Sequence, residues 1–155
     1  MHPSVERVVG VLTSLGWQGE VRVLEDSTRT AAEAAAALGC DVGAIASSLV
    51  FTADGDPLLV LTSGAHRVET DRVAALLDVA EVARAPAALV RAATGYASGG
   101  VAPVGHPAPL RTLVDVALAD YDVVWAAAGH PHAVFPTSYD GLVRLTAGTP
   151  AEVGA

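Results

Sequence analysis

Apolar residues fall at Val5, Val8, Val9, Val11, Leu12 and Leu15, the spacing of one helical face, and the stripe stops at Gly16. Val21-Arg22-Val23-Leu24 alternates and predicts a short strand. In the segment 28–39, Thr30 reads as an N-cap with Glu33 three residues on, a capping box, and Gly39 as the stop. Two apolar runs flank Asp54-Gly55-Asp56-Pro57, so residues 47–52 and 58–62 are expected to pair as an antiparallel hairpin. A helix opening at Thr70, a strand over 80–85 and a helix started by Pro86 follow. Residues 95–109 form a Gly/Pro-dense loop of the kind that builds sites. Residues 110–118 and 121–129 hold further strand material with a short helix between them. A last strand over 133–138 and a helix over 138–148 are expected, with 149–155 as a frayed tail. Hairpins mixed with helices, without a regular βαβ rhythm, predict an α+β fold with a mixed sheet covered by helices.

Composition changes that picture little. A chain of 155 residues fits one domain, and neither repeats nor an internal linker divide it. At 52% hydrophobic and 17% charged, it reads as a soluble globular protein whose core is packed from Val, Leu and Ala. Asp115, Asp120 and Asp122 interrupt the most apolar stretch, 114–128, so no membrane span is expected. The N-terminal residues lack a signal peptide's apolar region. The single cysteine, Cys40, excludes an internal disulfide, reads as a small packing residue and fits a reducing cytoplasm.

Charge narrows the choice of function. A net charge of −8 argues against broad nucleic-acid binding, although it leaves room for a local arginine-lined groove. All nine basic residues are arginines. Asparagine is also absent and Ile45 is the sole isoleucine, a pattern that GC-rich coding produces. Arginine does not substitute for a lysine in chemistry, so the protein works without a side-chain amine.

No P-loop, GxSxG elbow, HExxH or CxxC motif occurs. Gly99-Gly100 can expose successive backbone N–H groups as a nest for a carbonyl or oxyanion; a plain turn is the competing reading. His130 and His132 share a strand face at metal-ligand spacing but lack a nearby acidic or cysteine ligand, and no metal or other cofactor is expected. His66 and His106 lie at loop edges, where each is either a general base or simply solvated. Ser47 and Ser48 open an apolar run, where hydroxyls also serve to satisfy free backbone groups.

Several blocks in order, "TAAEAAAALG", "IASSLVF", "GDPLLVLTSGAHRVE", "RAATGYASGGVAPVGH", "TLVD" and "VVWAAAGHPHAVF", resemble the YbaK/EbsC-type aminoacyl-tRNA editing domains, relatives of the editing insertion of prolyl-tRNA synthetase. The resemblance covers about residues 30–148. It implies a single domain with a largely antiparallel, barrel-like mixed sheet flanked by helices. It also implies hydrolysis of mischarged aminoacyl-tRNA, such as Ala- or Cys-tRNA(Pro), with the tRNA acceptor end as partner and a synthetase as a second one. The expected catalytic set is Ser47, Gly99 and Gly100. The expected substrate-binding set is Ile45, Ser48, His66, Tyr96, Val101, Pro103, Gly129 and His130. The resemblance places a functional lysine where this chain has Ser47, and no other lysine replaces it. Two main readings follow: a lysine-free trans-editing deacylase, and a binding module that uses the same pocket to sense an amino acid or engage a protein. A hydrolase acting on another ester or amide is a third. Oligomeric state is not legible.

Overall fold

The computed structural model describes residues 2–25 and 30–155; the Thr28–Arg29 lead-in to the second expected helix lies outside them. In chain order the elements are α1 (Pro3–Ser14), β1 (Arg22–Val23), α2 (Ala31–Leu38), β2 (Ile45–Ala53), β3 (Asp56–Ser63), α3 (Thr70–Leu77) and β4 (Val82–Arg84). Then come α4 (Ala87–Thr94), β5 (Arg111–Asp115), β6 (Val124–His130), β7 (Ala133–Thr137), α5 (Tyr139–Thr146) and β8 (Thr149–Ala151).

The expected hairpin forms the centre of the sheet. Asp54 and Gly55 take φ of 48° and 89°, the two left-handed residues that a two-residue hairpin turn needs. This fixes the register from Ala53 opposite Asp56 to Ala46 opposite Ser63. Along β3, Leu58 and Val60 enter one core, with Phe51, Val73, Val82, Leu113 and Val153. Leu59 and Leu61 enter the other, with Val8, Leu12, Val114, Phe135 and Leu142. A strand buried on both faces reads as an unbroken apolar run, which is why the stretch from Leu58 to Leu61 shows no alternation.

Antiparallel pairings join β2 to β3 and to β4, β6 to β7, and β7 to β1. Parallel ones join β2 to β6, β3 to β5, and β5 to β8. The result is a mixed α+β sheet in the order β1-β7-β6-β2-β3-β5-β8, with β4 attached to β2 off that path. The capping box at Thr30 and Glu33 forms as expected, with Gly39 closing α2 in the left-handed conformation.

The C-terminal segment departs from expectation. Instead of fraying, Thr149–Ala151 pairs with β5, Val153 is fully buried, and Glu69 N–H donates to Val153 O at 2.9 Å. The edge of β5 has backbone groups that need partners, and Val153 supplies an apolar plug for the core beneath α3.

One irregularity creates the site. On the edge of β2 opposite β3, the ladder to β6 covers only Ile45 and Ala46. The ladder to β4 begins only at Phe51. Past Ala127 the β6–β7 register shifts, and Gly129 turns with φ 93° to bring the chain against α1. The sheet is therefore split beside Ser47–Val50.

Candidate functional site

A cleft of about 350 Å³ follows this split, within the size range of small-ligand sites. Ile45, Val90, Val101, Trp125, Ala126 and Val134 give it apolar walls, and Ser47, Ser48, Thr62, Ser63, His66, Arg84 and Gly99 give it polar groups. The helix α2 contributes Thr30, Ala31 and Ala34. Its close approach depends on Gly64, where a Cβ would stand 2.4 Å from Val42 O and 2.7 Å from Ala31 Cβ.

The polar groups are arranged by strand register. Ser47 pairs with Thr62, and the β3–β5 register, Leu61 opposite Val114, carries Thr62 alongside Asp115. Ser47, Thr62 and Asp115 thus form a row across three strands on one face of the sheet. Ser48, one residue on, belongs to the opposite face. Asp115 is almost completely buried, and its carboxylate accepts from Ser63 N–H at 3.0 Å and from Ala117 N–H at 3.0 Å. Its Oδ2 also lies 3.0 Å from Nδ1 of His66, whose side chain is 29% exposed and lines the cleft. A carboxylate that already accepts from backbone N–H groups assigns the proton to His66 Nδ1, which leaves Nε2 as the basic nitrogen. His66 stands out in the sequence as a loop-edge base, whereas Asp115 reads there only as strand material. A carboxylate closing an apolar strand, in "TLVD", was the available signal.

Of the expected site residues, Ile45, Ser47, Ser48, His66, Gly99 and Val101 meet in this cleft. Gly100, Tyr96, Pro103, Gly129 and His130 do not line it. Gly100 packs behind the wall, where a Cβ would stand 3.1 Å from both His130 Cα and Pro131 Cδ. Its N–H donates to Ala97 O at 3.1 Å, so the expected pair of free glycine N–H groups does not exist: a tight turn has consumed one. Tyr96 is buried, and its hydroxyl donates to Val104 O at 2.8 Å, tying the loop to itself; burial raises its pKa. Arg7 lies over the Tyr96 ring and donates to Gly105 O. Pro103 lines a separate groove with Val11 and Leu15. Gly129 faces α1, where a Cβ would meet Ser4 O at 2.9 Å. The ring of His130 makes tilted contacts with those of His2 and His132. Among the described residues no three His, Cys, Asp or Glu side chains are placed to hold a metal ion. Cys40 lies outside the cleft, with its thiol pKa pushed up by partial burial and by Asp41.

Comparison with known proteins fits this geometry. The model of the aminoacyl-tRNA editing domain matches residues 25–145. The proline–tRNA ligase of Bacillus licheniformis is 34% identical over 110 residues, which are 68% of this chain and 19% of the ligase. The chain therefore spans about a fifth of that relative's length. An uncharacterized protein of Bacillus subtilis, YwhH, is 26% identical over 127 residues, 81% of this chain and 80% of YwhH. The solved structure of a candidate trans-editing enzyme for prolyl tRNA synthetase superposes with a TM-score of 0.93 at 40% identity, covering 100% of this chain and 99% of the other.

Proposed function

The chain belongs to the aminoacyl-tRNA editing domain family, and from that premise we propose that it is a trans-acting deacylase that hydrolyses the ester of a small amino acid mischarged onto tRNA. The observation that carries the mechanism is the His66–Asp115 pair opening into the split-sheet cleft.

His66 Nε2 takes a proton from a water, and the water oxygen attacks the ester carbonyl. The tetrahedral intermediate collapses by expelling the ribose oxygen of the terminal adenosine. That oxygen receives the proton from His66, and the products are a free amino acid and uncharged tRNA. Asp115 holds the imidazole tautomer and stabilises the transient imidazolium. The ester is an activated bond, so confinement and orientation in a small cleft supply much of the acceleration without an amine. Ser47, on the same row, orients the water or the ribose hydroxyl. Arg84, whose guanidinium lies over the Phe51 ring, brings positive charge to the cleft of a protein with net charge −8, where the acceptor-end phosphates enter. The short apolar walls favour a small side chain such as that of alanine or cysteine, and the relatives' link to prolyl-tRNA synthetase supports tRNA(Pro) as its carrier.

Ser47, standing where the resemblance implies a lysine, favours a second reading, a binding module that keeps the pocket without turnover. A deacylation panel of charged tRNAs separates the two. Hydrolysis of Ala-tRNA(Pro) by the wild type, with Pro-tRNA(Pro) left intact, is the expected result. A flat panel for wild type and for Ser47→Lys alike overturns the deacylase.

A further inference from the structure

Among the described residues, the split in the sheet leaves one rung of β2 without a partner strand. Backbone groups alternate direction along a strand, and the bond from Gly64 N–H to Ile45 O points the odd-numbered residues of β2 at β3. Ala46, Ser48 and Val50 then point to the other edge. Ala46 is met there by β6, and the carbonyl of Val50 accepts from Ala85 N–H at 3.1 Å. Ser48 lies between them, where neither β6 nor β4 reaches, and its N–H and C=O face the cleft. Its hydroxyl is buried, and without a hydrogen-bond partner among the described residues. One residue thus carries a buried hydroxyl without a partner among the described residues, where folded proteins pair nearly all such groups, and two backbone groups that no neighbouring strand meets.

We propose that Ser48 is the carbonyl and ammonium anchor of the site, a missing rung that the aminoacyl group completes. A single aminoacyl unit exchanges two hydrogen bonds with one strand residue in the antiparallel manner. Its α-ammonium donates to Ser48 C=O, and its ester carbonyl oxygen accepts from Ser48 N–H. That N–H then faces the oxygen on which negative charge develops, the position of an oxyanion donor. This moves the donor role from the glycine loop, where Gly100 N–H is already taken, to the strand. It also predicts selection for a free α-amino group, because an acylated nitrogen loses its charge and keeps only one N–H donor, which removes the charge-assisted bond to Ser48 C=O. The proposal rests on the deacylase reading for its substrate, but its test does not depend on turnover.

The probe is 3′-(L-alanylamino)-3′-deoxyadenosine, a non-hydrolysable amide mimic, titrated into the ¹⁵N-labelled protein and followed by NMR. The Ser48 amide proton is expected to move downfield on saturation, and the N-acetylated probe to bind at least tenfold more weakly. Replacing the Ser48 amide by a backbone ester, which removes the N–H and keeps the side chain, is expected to weaken the alanyl probe about tenfold. An unmoved Ser48 amide, equal binding of the acetylated probe, or no binding of either overturns the proposal. Hydrolysis of charged tRNA alongside an unmoved Ser48 amide removes the anchor and keeps the deacylase. A flat tRNA panel with the Ser48 shift present does the reverse.

Discussion

The strand row and the glycine loop border the same cleft, yet they handle their polar groups in opposite ways. In residues 95–106 the groups satisfy one another. Gly100 N–H is held by Ala97 O, Tyr96 Oη by Val104 O, and His106 Nε2 lies 2.9 Å from Ala102 O. That loop is a braced wall. Along β2, β3 and β5 strand register places the groups: buried Asp115 backs His66, just past β3, and the Ser48 hydroxyl has no partner among the described residues. A segment rich in glycine and proline can thus shape a pocket without supplying its donors, while an ordinary strand beside a gap can supply them.

The sharpest test of this contrast is His66→Ala. General-base catalysis is worth about 10²–10⁴-fold, so kcat for deacylation is expected to fall at least a hundredfold. The melting temperature should hardly move, since the imidazole is partly exposed. A loss under threefold places the chemistry elsewhere.

Asp115→Ala combines activity with stability. It strips acceptors from the Ser63 and Ala117 N–H groups, and each donor left unsatisfied in the interior costs about 1–3 kcal/mol. A thermal scan is expected to show a drop of about 5–10 °C. Asp115→Asn, which keeps one acceptor oxygen, should recover part of the stability but little of the activity. Equal melting temperatures for the two variants would mean that the backbone bonds to the carboxylate carry no weight.

Gly100→Val tests the wall. Its Cβ would press on the His130 backbone, and overpacking of this kind costs about 1–3 kcal/mol. Displacing the wall is expected to reduce kcat/KM about tenfold. Unchanged kinetics in a folded variant would show that the loop does not shape the site.

Acid should loosen the loop. Burial lowers the pKa of His106 from its ordinary value, with the Arg7 cation acting in the same direction. The unfolded loop then binds a proton more readily than the folded one, so this contribution to stability is intact above about pH 6.5 and is lost as pH falls below it. Hydrogen exchange at residues 101–106, corrected for intrinsic rates, is expected to accelerate between pH 6.5 and 5, and His106→Gln to remove that dependence. Exchange independent of pH in the wild type would contradict it.

The smallest effect belongs to Ser47→Ala. One neutral hydrogen bond contributes about 0.5–1.5 kcal/mol, so a several-fold decrease in turnover is expected, with the fold unchanged. Abolished turnover would instead make Ser47 the attacking group.

The sequence by itself determined the local elements. The Thr30–Glu33 capping box, the Asp54-Gly55 turn and the double-faced apolar run of β3 depend on neighbours a few residues apart, and their signals are written in consecutive positions. It also marked six of the residues that line the cleft, Ile45, Ser47, Ser48, His66, Gly99 and Val101, through residue order shared with a known family. What only the tertiary structure decided is which groups are left over. Asp115 becomes the partner of His66 because β5 lies parallel beside β3, and Ser48 becomes an open rung because β6 ends its pairing with β2 at Ala46. The tail became a strand because β5 had an edge to cover. Whether a hydrogen-bonding group is satisfied depends on what stands about 3 Å away across the sheet, and residues distant in the chain supply that neighbour.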